Sequence, residues 1–114
     1  MTINDALHRL LLDNLTTATL LLNEQLHLEY MNPAAEMLLA VSGQRSCGQF
    51  VTELFSESPE ALASLHQSVK SAHPFNKREA VLITQSGQNL TVDYAVTPIL
   101  SRQTTYLLLE ILPR

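Results

Sequence analysis

Residues Tyr30 to Leu39 read YMNPAAEMLL, and the Asn32-Pro33 pair inside them constrains the fold more than any other feature of the 114-residue chain. Upstream, Leu26, Leu28 and Tyr30 alternate with His27 and Glu29, as on a half-buried strand. Downstream, Ala34, Met37, Leu38 and Val41 recur as on one side of a helix. Asn32 is a good N-cap, because its side-chain oxygen can accept from an orphan N–H of the first turn. Pro33 suits the first helical position, where its missing donor costs nothing and its φ is already helical. Pro33 also pushes Asn32 out of the α region, as a cap requires. The pair encodes a strand that turns directly into a helix. Asn32→Ala is expected to cost about 1 kcal/mol through the lost cap, and Ser42-Gly43-Gln44 is expected to end the helix.

The same pattern reading extends in both directions. Leu7, Leu10, Leu11 and Leu15 line one face of a helix over Asn4 to Leu15, with Asn4 as its cap and Asp5 suited to its dipole. The Thr-rich apolar run from Thr16 to Leu22 pairs with the alternating strand around a polar turn at Asn23-Glu24-Gln25. Beyond the corner, Gln44 to Phe55 is too short and mixed for one long element; Phe50, Leu54 and Phe55 anchor a single helical turn. Pro59 opens another helix with Ser58 as cap, Leu62, Leu65, His66 and Val69 share one face, and His73-Pro74 closes it. Three strands follow, over Arg78–Thr84, Asn89–Leu100 and Thr104–Leu112. Strands split by a block of helices imply an α+β domain with helices on one face of an antiparallel sheet. The strand faces are more apolar than so small a helical block can cover. The N-terminal helix, a second copy of the chain, or both must cover the rest.

Composition narrows the function classes. With 46% hydrophobic and 16% charged residues the chain folds rather than staying disordered, and its length suits one compact domain. Net charge is −4 and the seven Lys and Arg are scattered, so no basic face is laid out for nucleic acid. Cys47 stands alone, which forbids an intrachain disulfide and fits a reducing compartment. The N-terminus lacks the basic and apolar regions of a signal peptide, and no run reaches the roughly 20 apolar residues of a membrane helix. A soluble cytoplasmic domain is the default expectation.

Each enzyme class leaves a weak trace at best. Gly43, Gly48 and Gly87 form no phosphate-binding loop, no Ser sits in GxSxG, and Cys47 has no base partner in the pattern. His8, His27, His66 and His73 form no metal-ligand cluster. His66 lies on the apolar stripe of its helix and is the weak candidate for a haem ligand; a histidine packed at the edge of the core is preferred. The carboxylates Glu29, Glu36, Glu53, Glu57, Glu60, Glu79 and Glu110 read as solvated faces or helix starts, and Asp93 faces either a cavity or solvent. Leu7, Leu10, Leu11 and Leu15 admit two readings, packing on their own sheet or forming a dimer surface.

The run LLLNEQLHLEYMNPAAEMLLAVSG resembles the start of a PAS domain, and REAVLITQSGQNLTVDYAVTPI with YLLLEI resembles its three closing strands. The leucine-rich helix directly before the corner and the ending LLLEILPR are similar to the N-terminal sensory domain of nitrogen-regulation sensor histidine kinases of the NtrB type. The resemblance implies a PAS fold: a five-stranded antiparallel sheet with short helices on one face, plus an N-terminal amphipathic helix. It divides the chain into a helix over 1–16 and a PAS domain over 17–114, a fragment of a longer kinase. It implies a homodimer that relays signals to a kinase core, with the PII protein and a response regulator as partners of the parent. No phosphoacceptor box or ATP-binding motif occurs in the chain, so catalysis is expected to lie beyond Arg114. The photoreactive flavin type of PAS domain needs a cysteine in an N-C-R-F-like helix, and RSCGQFV departs from it. No cofactor or metal is expected, and no nucleic-acid or membrane contact. The rival readings are a ligand sensor with a small metabolite or cofactor in its cavity, and an independent small enzyme on the same fold.

Overall fold

The computed structural model describes residues 3–114, apart from the side chains of residues 3–6 and His8. The cap expected of Asn4 and the dipole contribution of Asp5 lie outside the described residues. Helix α1 (Ile3–Asp13) leads into the hairpin of β1 (Ala18–Leu22) and β2 (Leu28–Met31). A helical block follows: α2 (Pro33–Leu39), α3 (Gly43–Ser46), α4 (Val51–Leu54), the short strand β3 (Phe55–Ser56) and α5 (Pro59–Ser71). The strands β4 (Phe75–Thr84), β5 (Asn89–Ser101) and β6 (Thr104–Pro113) close the chain. All strands join one sheet in the order β2-β1-β6-β5-β4-β3, antiparallel throughout.

The first hairpin turns where the sequence places it. The Asn23 carboxamide oxygen accepts from the N–H groups of Gln25 and His27, and Leu26 takes a left-handed φ of 65°. Alternation then sorts the strands. Leu20 and Leu22, Val92 and Val96, and Leu107, Leu109 and Ile111 point to the helical block and are fully or almost fully buried.

Several sequence expectations need correction. The sheet has six strands, not five, because Phe55 and Ser56 pair with Thr84 and Ile83 at its edge. Two residues carry no alternation that a pattern could reveal. The stretch from Gly43 to Leu54 holds two helical turns rather than one. Helix α2 ends at Leu39, with Ala40 in the left-handed region, and Ser42 is the N-cap of α3 instead of a terminator. The buried face of α2 is Ala35 and Leu39; Met37, expected inside, is 84% exposed. On α5 the buried stripe is Ala61, Leu65 and Ser68, and His66 faces solvent. Ser68 tolerates burial because its hydroxyl donates to the His73 carbonyl at 2.7 Å. Ser58 holds the N-cap position of α5 without a side-chain bond to the helix, and that helix stops at Ala72 in the left-handed region, just before His73-Pro74.

Candidate functional site

The strand-to-helix corner is a joint between three elements. Asn32 is completely buried, and its Oδ1 accepts from Ala35 N–H at 3.0 Å, closing the cap of α2. The same oxygen accepts from Thr19 N–H at 2.9 Å, on β1. Its Nδ2 donates to the Thr17 carbonyl at 2.9 Å and lies 3.3 Å from that of Leu12, at the end of α1. Pro33 takes the first helical position, as its fixed φ dictates. One carboxamide thus fixes where α1, β1 and α2 meet.

Helix α1 lies on the sheet face opposite the other helices. Tyr30 pairs across the strands with Leu21, whereas the core residues Leu20 and Met31 pair on the other face. The Tyr30 hydroxyl donates to the Asp13 carboxylate, and the Arg9 guanidinium stacks 4.8 Å above its ring. Burial, reinforced by the hydrogen bond to Asp13, pushes the Tyr30 phenol well above its ordinary value. Leu7, Leu10, Leu11 and Leu15 stay 47–59% exposed, as do much of Val81, Ile83 and Leu112 on the same side of the sheet. Helix α1 ends at Asp13, so Leu7, Leu10 and Leu11 lie on it while Leu15, expected in its last turn, follows it; all four are exposed in the single chain.

A cavity of about 150 Å³ lies between α4, α5 and the sheet. Val51, Phe55, Leu62, Leu65, Leu82 and Ile111 are among its walls. At one side stands Glu57, which the sequence reading treats as a solvated carboxylate; its side chain is only 7% exposed. Glu57 Oε1 accepts from the Tyr94 hydroxyl at 2.9 Å, and Oε2 pairs with the Lys77 ammonium. Burial, then the bond to Glu57, pushes the Tyr94 phenol well above its ordinary value. Lys77 reaches this face through a β-bulge. It pairs with Tyr94 while Ala80 pairs with Val92, so Arg78 and Glu79 together oppose Asp93. Glu79 carries the left-handed φ of 55° that the extra residue needs.

The other side of that bulge answers the question about Asp93, which faces away from the cavity. Its Oδ1 accepts from Arg114 Nε at 2.8 Å and from Glu79 N–H at 3.0 Å, and Arg114 also reaches Glu79 at 3.2 Å. The Arg114 hydrogen bond, then the Glu79 N–H, holds the Asp93 carboxyl below its ordinary value.

The remaining candidates lie outside the cavity. His66 is exposed and is not among the lining residues, and neither is Cys47, which is exposed at the end of α3. A volume near that known to hold benzene has no room for a haem or flavin ring system. Among the described residues no group of three or more His, Cys, Asp or Glu could hold a metal ion, and no helix is long and apolar enough to cross a membrane. Alternation alone hides Lys77, since three positions separate it from Ala80 and a regular strand would put them on opposite faces. Tyr94 did carry a signal: a phenol on an apolar strand face must find a partner.

This arrangement of corner, helical block and sheet coincides with a family model described as PAS fold, which matches residues 6–113. The chain belongs to the PAS family. Among curated proteins it is similar to the sensory histidine kinase/phosphatase NtrB of Vibrio alginolyticus, 32% identical over 100 residues. That match covers 88% of this chain, and the chain spans only 28% of the relative's length. Among solved structures, the PAS domain of nitrogen regulation protein NR(II) from Vibrio parahaemolyticus superposes with a TM-score of 0.80 at 31% identity, covering 95% of this chain and 98% of that one. A chain of the E. coli DhaR(N)-DhaL complex matches at 29% identity and a TM-score of 0.72, over 97% of this PAS chain and 37% of that chain. The expectation of a PAS fold related to the NtrB sensory domain is borne out, with the sixth strand as its amendment.

Proposed function

We propose that this PAS domain is the sensory domain of a two-component nitrogen-regulation histidine kinase, pairing with a second copy and passing conformation to a kinase core in the same polypeptide. The observation that carries this reading is the end-to-end match with the NR(II) PAS domain, which this chain covers almost completely. The exposed leucine stripe of α1, beside the exposed apolar side chains of the outer sheet face, supports pairing. On this reading, phosphotransfer, ATP binding, control by PII and contact with a response regulator belong to the parent kinase, which works in the cytoplasm.

A second reading is favoured by one observation, the cavity with its buried carboxylate: the domain senses a small ligand there. Native mass spectrometry of the purified chain separates the two. A species at twice 12.7 kDa without added mass is the outcome expected of a dimerisation relay. Added mass on monomer or dimer would favour the ligand sensor. A bare monomer would defeat the pairing assignment.

A further inference from the structure

The cavity between α4, α5 and the sheet is mainly apolar; Thr52, Ser56, Ser58 and Tyr94 add hydroxyls to its lining, Glu57 is the charged residue there, and the partners of that carboxylate restrict what can enter. A carboxylate drawn inside needs hydrogen-bond partners, and Glu57 has two, the Tyr94 hydroxyl and the Lys77 ammonium. They are not equivalent. Tyr94 belongs to the wall and is 7% exposed, and its hydroxyl proton is committed to Glu57 Oε1. Lys77 is not among the lining residues; its side chain is 39% exposed and reaches Oε2 from the rim. A flexible ammonium at the rim can withdraw into water at little cost. The buried carboxylate left behind would then require another cation.

We infer that this cavity takes a small organic amine, whose ammonium replaces that of Lys77 on Glu57 while its compact apolar body lies against Leu65, Leu82 and Ile111. The proposal rests on the ligand-sensor reading and gives it a ligand class. Size sets the upper bound, because a cavity of about 150 Å³ accommodates a body of roughly one benzene ring. Charge sets the sign. A carboxylate or phosphate ligand would have to sit beside Glu57 in low dielectric, and the repulsion there is several times that in water. A neutral hydrocarbon would fill the walls but leave the Glu57–Lys77 pair as it is. An amine alone satisfies both parts of the site.

The test is a methyl-NMR titration of the whole chain with benzylamine, with benzoate and toluene as the charge-reversed and uncharged counterparts of the same ring. Benzylamine is expected to shift the Leu65, Leu82 and Ile111 methyl signals saturably, binding at least about tenfold tighter than toluene, with no binding of benzoate. Glu57→Gln removes that preference. Lys77→Met, which deletes the internal competitor and keeps the apolar stem, tightens benzylamine binding, and it serves if Glu57→Gln fails to fold. Leu65→Phe fills the cavity and abolishes the shifts. Equal binding of toluene and benzylamine, unaffected by Glu57→Gln, would show an apolar void only and overturn the proposal. So would the absence of saturable shifts for benzylamine, or unchanged binding in Lys77→Met. None of these outcomes bears on pairing through α1, which the oligomeric state reports separately.

Discussion

Asn32 shows how much one side chain can be asked to do. Read as a cap it serves α2 alone, and its loss should cost about 1 kcal/mol. In the folded chain it also holds Thr19 N–H of β1 and the carbonyl of Thr17, with no solvent access to replace it. Removing it takes the acceptor from the N–H groups of Thr19 and Ala35, both buried, at about 1 kcal/mol or more each, and one donor from the Thr17 carbonyl, which keeps the Thr19 hydroxyl. Asn32→Ala is therefore expected to lower stability by about 3 kcal/mol in urea unfolding; a loss of about 1 kcal/mol would mean that only the cap counts. Asp93 makes a different, pH-dependent contribution. Its carboxyl titrates lower in the folded chain, beside Arg114, than in the unfolded one. Such a group adds stability above its unfolded value, near 4, and loses it as pH falls through the lower folded value. Asp93→Asn should make the acid loss of stability below about pH 4 shallower. An identical acid limb in the variant would show that Arg114 does not hold Asp93 in solution.

At the scale of elements, α1 is attached but not covered. Its inner side is tied down through Asp13, Tyr30 and the Asn32 carboxamide, while Leu7, Leu10 and Leu11, with Leu15 just past its end, are exposed. In a pair of chains those leucines would be the seam, and a carboxylate placed there would have to be desolvated. Leu11→Glu should reduce the dimer fraction seen in sedimentation velocity while the melting temperature stays within a few degrees. A dimer fraction equal to that of the parent chain would move the interface elsewhere. The elements also show where pattern reading reaches its limit. Helix α1, the first hairpin, the Pro33 corner, α5 and the three long strands were all legible, because each is long or punctuated enough for a period to show. The two-residue strand β3 and the single turns α3 and α4 were not. Elements that short are selected by what they pack against, here the edge of β4 for β3, the cavity wall for α4 and strand β2 for α3.

Among the described residues of the molecule the ionisable groups lie mainly on the surface, with Glu57, Tyr30 and Tyr94 drawn inside. Both phenols titrate higher in the folded chain, chiefly because burial disfavours the charged ring. Their contribution is fully present below the unfolded phenol value, near 10, and is lost as pH rises through the folded one. Alkaline titration is expected to develop the phenolate absorbance of Tyr30 and Tyr94 only as the circular dichroism of the fold disappears. Ionisation of both rings near pH 10 with the fold intact would mean that the two are not held as described. What the sequence determined by itself were the choices made by local chemistry: the cap and proline at the corner, the turn at Asn23, the alternation of the long strands and the even scatter of charge. These depend on neighbours a few residues away. The side of the sheet that Lys77 faces, the burial of Glu57 and the threefold use of Asn32 were decided only by the tertiary structure. A bulge shifts strand parity without leaving a mark in the hydrophobic period, and a buried carboxylate is defined by partners 20 and 37 positions distant.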